Sequence, residues 1–126
     1  MGLSGKKAVV FGGTSGIGLA AALLLAKNGV EVTAVSRKPD KAGTLPSGVS
    51  LRACDVLDRS AVEAVFSELS PIDILVTAAT GGKRAFGPFL EMDIDGYKGS
   101  FDKLWGYANV VRYGAQHVKD GGSITL

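Results

Sequence analysis

The sequence predicts an α/β protein in which helices cover a parallel sheet, and two observations carry this prediction. Short apolar runs alternate with segments of helical periodicity along all 126 residues, and a glycine-rich segment joins the first run to the first helix. Strands of a parallel sheet are short and apolar because helices bury both faces. We therefore expect one doubly wound domain with its ligand site at the carboxyl ends of the strands.

Five apolar runs predict strands, over residues 7–12, 30–36, 49–53, 72–77 and 123–126. The first helix is expected over residues 19–27, with Leu19, Leu23 and Ala26 on its apolar face and Gly29 at its end. A short, weak helical segment follows near residues 38–43. These elements alternate in the order that a doubly wound sheet requires.

The third helix has two candidate N-caps, Asp58 and Ser60, and Ser60 forms a capping box with Glu63. Its apolar face follows helical spacing and comprises Val62, Val65, Phe66 and Leu69. A long helical segment over residues 100–118 carries a second apolar stripe, made of Leu104, Ala108, Val111 and Ala115 and widened by Phe101, Trp105 and Val118. We interpret these aromatic residues as packing residues, since stripes at this spacing usually face a core.

Residues 79–94 have no clear period and contain Gly81, Gly82, Gly87 and Pro88. They predict a mobile loop at the carboxyl end of the fourth strand, where open parallel sheets bind their ligands.

Composition is ordinary for a globular protein, with 46% hydrophobic and 21% charged residues. A net charge of +2 is too small to favour nucleic acid or a membrane surface as partner, and neither a long apolar segment nor a metal-binding cluster occurs. Cys54 is the only cysteine, which precludes an intrachain disulfide and suits a reducing compartment. We therefore expect a cytoplasmic protein in which Cys54 is an inert core thiol.

The segment from Phe11 to Gly18 reads Phe-Gly-Gly-Thr-Ser-Gly-Ile-Gly and is the most informative motif. A glycine-rich turn between a strand and a helix directs backbone N–H groups and the positive end of the helix at one point, which suits a pyrophosphate. Gly12 allows the tight turn, Gly16 lets the backbone approach the phosphates, and Gly18 lets the helix pack closely. The residues expected to contact a dinucleotide here are Gly12, Thr14, Ser15, Gly16, Ile17 and Gly18.

This segment resembles the Thr-Gly-x-x-x-Gly-x-Gly fingerprint of the short-chain dehydrogenase/reductase family, with Phe11 in place of the usual Thr. The resemblance runs from the first strand to Leu126. It implies a Rossmann-like sheet with strand order 3-2-1-4-5 in this portion. It also implies that residues 1–126 are the dinucleotide-binding, amino-terminal half of the family's domain, incomplete on the carboxyl side. Such a sheet would expose its fifth strand, so we expect either a longer polypeptide or a homo-oligomer formed through that edge and the segment 100–118.

Cofactor preference is encoded at the end of the second strand, where an acidic residue would bond the ribose 2′-OH of NAD. Ser36 stands there instead, followed by Arg37 and Lys38, which suit a 2′-phosphate. In the similar family a Ser-Arg pair usually marks NADP. We therefore predict NADP (NADPH) rather than NAD, the alternative being a solvated basic turn.

Two further segments are assigned by the resemblance. Asp55 and Val56 take the place where the family contacts adenine, although an Asp after a strand is commonly a turn former or helix cap. Thr77-Ala78-Ala79-Thr80 replaces the family's Asn-Asn-Ala-Gly, so bracing of the central strands must come from Thr77 or elsewhere. Ala78, Ala79 and Thr80 remain small enough for the backbone to approach the nicotinamide ribose.

Catalytic residues are sparse in this chain. Lys103 falls on the family's Asn of Asn-x-x-Gly, with Gly106 matching the glycine, so Lys103 is either a member of the proton relay or a surface lysine. None of Tyr97, Tyr107 and Tyr113 has a lysine four positions later, so the family's Tyr-x-x-x-Lys is absent here. His117 is expected to be solvated or a helix cap rather than catalytic.

The resemblance thus implies an NADP-dependent oxidoreductase that transfers hydride between nicotinamide and a small carbonyl or alcohol substrate. This chain would supply the cofactor-binding half and be inactive alone. A non-catalytic dinucleotide-binding sensor or regulatory module is the alternative.

Overall fold

The computed structural model describes residues 2–80 and 84–126. Within them a five-stranded sheet has the order β3-β2-β1-β4-β5, with every neighbouring pair parallel. Its strands are β1 Lys7–Phe11, β2 Glu31–Ser36, β3 Val49–Ala53, β4 Ile72–Thr77 and β5 Val118–Thr125. The predicted fold class and strand order are confirmed.

The helices are α1 Gly16–Lys27, α2 Arg59–Leu69, α3 Ile94–Gly99 and α4 Asp102–Gly114. Short 3₁₀ turns accompany them in the described residues, at Pro39–Ala42, Phe89–Glu91 and Ala115–His117. The weak helical segment predicted at 38–43 is the first of these turns. The predicted loop over 79–94 is partly regular, since it contains the second turn and the start of α3, while Gly81 and Gly82 lie outside the described residues.

Two hydrophobic clusters lie on opposite faces of the sheet. The larger one joins the sheet to α2 and α4 and includes Phe11, Phe66, Leu75 and Val110. The smaller one lies under α1 and includes Val10, Ala22 and Val32. Alternation along β1 explains this division, because Val9 and Phe11 point to one face while Ala8 and Val10 point to the other.

The start of α2 resolves the two capping possibilities. The Oδ1 atom of Asp58 accepts a hydrogen bond from the backbone N–H of Ala61 at 3.1 Å, and the helix begins at Arg59. Ser60 therefore lies inside the helix, and the predicted Ser60–Glu63 capping box is wrong. The predicted apolar face is confirmed, since Val62, Val65 and Phe66 are buried.

The predicted face of α4 is wrong. Leu104 and Trp105 are 64% and 58% exposed, and Ala108 and Ala115 are exposed as well. The buried residues are Gly106, Asn109, Val110 and Gly114. This face of α4 is buried because its glycines let the helix approach the residues it packs on. A Cβ on Gly114, for example, would lie 2.7 Å from Phe66 Cε2. The aromatic residues Phe101 and Trp105 are thus not core packing residues of this chain.

The first helix and last strand also differ from prediction at their starts. Helix α1 begins at Gly16 instead of residue 19, and it buries Gly18 and Ala22 while Leu23 stays exposed. It ends at Lys27, and Gly29 follows with a φ of 81°, as expected of a C-terminal glycine. Strand β5 begins at Val118 instead of residue 123, because the β4–β5 register shifts between the pairs Ile72–Val118 and Ile74–Ser123.

Candidate functional site

One pocket of about 390 Å³ opens where the carboxyl ends of β1, β2, β3 and β4 meet the start of α1. Most of the predicted cofactor-binding residues line it: Gly12, Thr14, Ser15, Gly16, Ile17, Ser36, Arg37, Asp55, Val56, Ala78, Ala79 and Thr80. Gly18 and Lys38 do not. Val35 and Cys54 also line the pocket, and the sequence interpretation missed them. Val35 lies near the end of β2 and Cys54 directly follows β3, and these positions at the carboxyl ends of strands could have indicated that both residues line the pocket.

Glycine is required at positions 12 and 16 for different reasons. Gly12 has a φ of 76°, and a Cβ there would lie 2.6 Å from the backbone nitrogen of Ala79. This glycine therefore lets the turn after β1 contact the segment after β4. Gly16 has a φ of 53°, and a Cβ there would meet no atom within 4 Å. Because Gly16 lines the pocket, that space is open to the pocket and is not filled by the protein core.

Gly18 acts by packing, although the partner differs from the one expected. A Cβ on Gly18 would collide with the carbonyl of Gly12 and lie 3.2 Å from the backbone nitrogen of Gly13. The contact is therefore with the turn at Gly12 and Gly13. Gly13 is also sterically restricted, because a Cβ there would lie 2.7 Å from the carbonyl oxygen of Val10. The role of Gly13 was not predicted.

The first turn of α1 faces the pocket with main-chain groups. Ser15 is its N-cap residue, with an extended backbone and no side-chain capping bond, and Gly16 and Ile17 follow. The first N–H groups of a helix have no partner within the helix, and the helix dipole adds a partial positive charge at this end. This end can bind an anion through its backbone.

Ser36 and Arg37 line the pocket at the end of β2, where Arg37 contributes a positive charge. The Ser36 hydroxyl oxygen is buried, and it has no hydrogen-bond partner among the described residues, although the residue lines the pocket. Arg37 is exposed at the rim. Lys38 is also exposed; it directly precedes the turn Pro39–Ala42 and is not among the lining residues. A buried hydroxyl without a partner fits a ligand atom that can hydrogen-bond to it.

Asp55 is both a pocket residue and a turn former. Its Oδ1 atom accepts a hydrogen bond from the backbone N–H of Leu57 at 2.9 Å, which fixes the turn between β3 and α2. A carboxylate has several acceptor positions, so this bond leaves Asp55 able to accept another from a ligand.

Cys54 is buried, as expected of a core thiol. Burial raises the pKa of this thiol to about 11, while the nearby Arg52 opposes the rise. The neutral thiol is a poor nucleophile, so the pocket has an apolar, unreactive wall at this position.

The structure places the other candidate residues away from the pocket lining. Lys103 is exposed on α4, with Nζ 5.4 Å from the centre of the Tyr107 ring, and its catalytic role stays a prediction. His117 stacks on Phe66 with ring centres 5.8 Å apart, which gives it a packing role. Thr77 is buried, but its hydroxyl has no partner among residues 2–80 and 84–126, so no bracing bond from Thr77 is present there.

Within the described ranges, no group of three or more His, Cys, Asp or Glu residues is arranged to hold a metal ion. None of the helices that the structure describes has the length and apolar character needed to cross a membrane.

The sheet order and the glycine-lined pocket together define a Rossmann-type α/β domain. Comparison with known proteins identifies the family: the short chain dehydrogenase family model matches residues 6–125. The chain belongs to the short-chain dehydrogenase family, whose members are oxidoreductases that bind a nicotinamide dinucleotide.

Individual relatives agree with this assignment. L-xylulose reductase of Mesocricetus auratus is 35% identical over 105 residues, which cover 81% of this chain and 42% of the relative. Short-chain dehydrogenase/reductase prx4 of Penicillium rubens is 34% identical, covering 74% of this chain and 28% of the relative. The chain therefore spans less than half the length of these two relatives.

Solved structures give the same result. A small-chain dehydrogenase in complex with NADPH is 31% identical, with a TM-score of 0.77 over 96% of this chain and 49% of the other. A short chain dehydrogenase/reductase family protein is 30% identical, with a TM-score of 0.80 over 98% of this chain and 55% of the other.

Proposed function

We propose that this chain binds NADP and forms the cofactor-binding part of an oxidoreductase acting on a small carbonyl or alcohol. The observation that carries the proposal is that one pocket unites the glycine-rich turn, the Ser36–Arg37 pair and the Asp55–Val56 pair. The likeness to a structure solved with NADPH supports it. When bound, the nicotinamide supplies or accepts the hydride, while protein groups bind and orient the reactants.

The pyrophosphate fits the start of α1. The open space beside Gly16 admits the phosphate groups, and the backbone N–H groups of Gly16 and Ile17 are placed to donate to them. Gly12 and Gly18 hold the turn closed, because neither position has room for a Cβ.

The adenosine end fits the opposite part of the pocket. Ser36 donates its partnerless hydroxyl to the 2′-phosphate, Arg37 adds a planar guanidinium, and Lys38 adds charge nearby. An acidic residue at position 36 would favour NAD, but the residue there is a serine. Asp55 accepts from the adenine amino group, and the backbone of Val56 lies beside the ring. Ala78, Ala79 and Thr80 leave room for the nicotinamide ribose.

The proton donor is assigned to none of residues 1–126, so we propose that the chain alone does not turn over substrate. In the full-length protein, Lys103→Met tests the role of Lys103, and Lys98→Met is the control at another exposed lysine. A role in proton relay would lower kcat without weakening NADPH binding. An unchanged kcat assigns Lys103 to the surface.

For partners, we propose a small-molecule substrate and a second copy of this protein. The exposed face of α4 carries Phe101, Leu104 and Trp105, and β5 lies at the edge of the described sheet with its outer main-chain groups unpaired by another strand.

Binding and turnover test the proposal separately. Fluorescence titration with NADPH and NADH measures cofactor preference, and NADPH oxidation is followed over a panel of carbonyls that begins with L-xylulose, because a relative is named for that substrate. Tighter binding of NADPH than of NADH is expected of this chain, and oxidation with at least one carbonyl is expected of the full-length protein. Equal affinities contradict the NADP assignment, and NADPH binding without turnover in the full-length protein favours the sensor alternative.

A further inference from the structure

Asn109 is a buried polar residue of α4 whose partner belongs to the pocket wall. It is 8% exposed, and its Nδ2 donates a hydrogen bond to the main-chain carbonyl of Val56 at 2.9 Å. The two residues are 53 positions apart, and Val56 lines the pocket beside Asp55. This bond therefore joins α4 to the segment that follows β3.

Gly106 lies one helical turn before Asn109 and contacts the same residue. A Cβ on Gly106 would lie 2.7 Å from Val56 Cγ2, so glycine is what lets α4 approach this closely. Residues three positions apart share a helix face. Val56 is thus held by α4 twice, through its side chain at Gly106 and through its carbonyl at Asn109.

The turn around Val56 is otherwise closed by its own atoms. Leu57 N–H donates to Asp55 Oδ1 at 2.9 Å, and Asp58 N–H donates to the Asp55 carbonyl at 3.0 Å. The Val56 carbonyl differs, because its donor comes from α4. A buried carbonyl that loses its donor is costly, and it regains a partner only by turning toward water. Since Val56 lines the open pocket, that movement displaces the backbone beside the proposed adenine position.

We infer that Asn109 is a positioning residue for the adenosine half of the cofactor, acting through the Val56 carbonyl. The inference rests on the proposed function, since it assumes that adenosine occupies this part of the pocket. Asn109 itself is not among the lining residues. Its effect on binding is therefore transmitted entirely by the placement of Asp55 and Val56.

The test compares Asn109→Leu with Gly114→Ala in the full-length protein. Leucine has the same branching at Cγ as asparagine but no donor, whereas Gly114→Ala disturbs the far end of the same helix, where it packs on Phe66. Calorimetry measures binding of NADPH and of adenosine 2′,5′-bisphosphate well below the unfolding temperature. Both variants should unfold at a lower temperature than the parent protein.

Asn109→Leu should weaken both ligands by the same factor of about tenfold, because the lost contact lies in the half that they share. Gly114→Ala should leave both affinities unchanged. Gly106→Ala places a methyl group against Val56 and should also weaken the binding of both ligands. If Asn109→Leu does not fold, Gly106→Ala replaces it in the test.

Parent affinities in Asn109→Leu or Gly106→Ala would overturn the inference and leave Asn109 a purely structural residue. Equal weakening by Gly114→Ala would overturn it too, since general loosening of α4 would then be sufficient. If the parent protein binds neither ligand, the proposed function fails, and that result is distinct because it needs no variant.

Discussion

The carboxylate of Asp73 accepts a hydrogen bond from the backbone N–H of Lys7 at 2.9 Å, across 66 positions of the sequence. Its other oxygen, Oδ1, pairs with Lys119 Nζ at 3.5 Å. Asp73 therefore ties β4 to the starts of β1 and β5, at the end of the sheet opposite the pocket.

This arrangement predicts an acid-sensitive contribution to stability. The hydrogen bond from Lys7 lowers the pKa of Asp73 below its usual 3.8, with burial opposing and Lys119 assisting. A depressed folded-state pKa stabilises the fold above the unfolded value and loses that effect as pH falls through the folded value. Asp73→Asn should lower the unfolding temperature at pH 7, with the difference shrinking below pH 3.8. Asp120→Asn, at an exposed position of β5, should lower the unfolding temperature less at pH 7.

Gly16→Val should abolish NADPH binding while the far-UV helix signal stays largely in place. The side chain would occupy the open space proposed for the pyrophosphate, and the positive φ adds strain of about 1–2 kcal/mol. Gly5→Val is the matched control, because Gly5 also has a positive φ and free space around its Cβ but lies outside the pocket. Retention of the parent affinity by Gly16→Val would contradict the phosphate assignment.

Arg37→Ala should narrow the preference for NADPH over NADH by ~1.5–3 kcal/mol, the range for hydrogen bonds to charged groups. Ser36→Asp should shift the preference toward NADH, since a carboxylate repels the 2′-phosphate. Fluorescence titration with both cofactors measures each shift. Lys41→Ala removes an exposed charge from the neighbouring 3₁₀ turn and should leave the preference unchanged.

Cys54 should resist alkylation at pH 8 in the folded protein. With a pKa of about 11, roughly one thiol in a thousand is ionised there, whereas an unperturbed cysteine with a pKa near 8.5 is substantially ionised. Mass spectrometry after iodoacetamide treatment, with and without denaturant, measures the difference. Rapid labelling of the native protein would show that the thiol is ionised or exposed.

Trp105→Glu should shift the protein from dimer to monomer in light scattering, because it places a charge in the exposed apolar face of α4. Leu24→Glu places the same charge at a similarly exposed apolar residue of α1 and should not change the mass measured by light scattering. A parent protein that is monomeric at high concentration would contradict the proposed self-association.

The strands and the glycine-rich turn were predictable because their signals are local. A strand such as Ile72–Thr77 is apolar at four of its six positions, and the glycines at positions 12, 16 and 18 follow the spacing of a dinucleotide-binding turn. The face of α4 was not predictable from hydropathy. Burial there depends on Gly106 and Gly114 fitting against Val56 and Phe66, and glycine carries no hydrophobic signal of its own.

The site was predictable in its parts but not in its connections. Residues at the carboxyl ends of parallel strands converge by topology alone, which is why Ser36 and Asp55 could be placed together. The bond from Asn109 to Val56 could not be foreseen, since it joins residues 53 positions apart through a helix whose orientation was mispredicted.

The contact between Gly12 and the Ala78–Ala79 backbone has a consequence for how this pocket can change. At Gly12 and Gly16, on the side proposed for the phosphates, a codon change adds bulk that collides with the Ala78–Ala79 backbone or fills open space of the pocket. At Ser36 and Arg37 the pocket surface is formed by side chains, so changing a single codon there can change the charge or the hydrogen-bonding group that faces the pocket. Under the proposed assignment, cofactor preference is therefore separable from cofactor retention, and a change toward another dinucleotide can leave the turn intact.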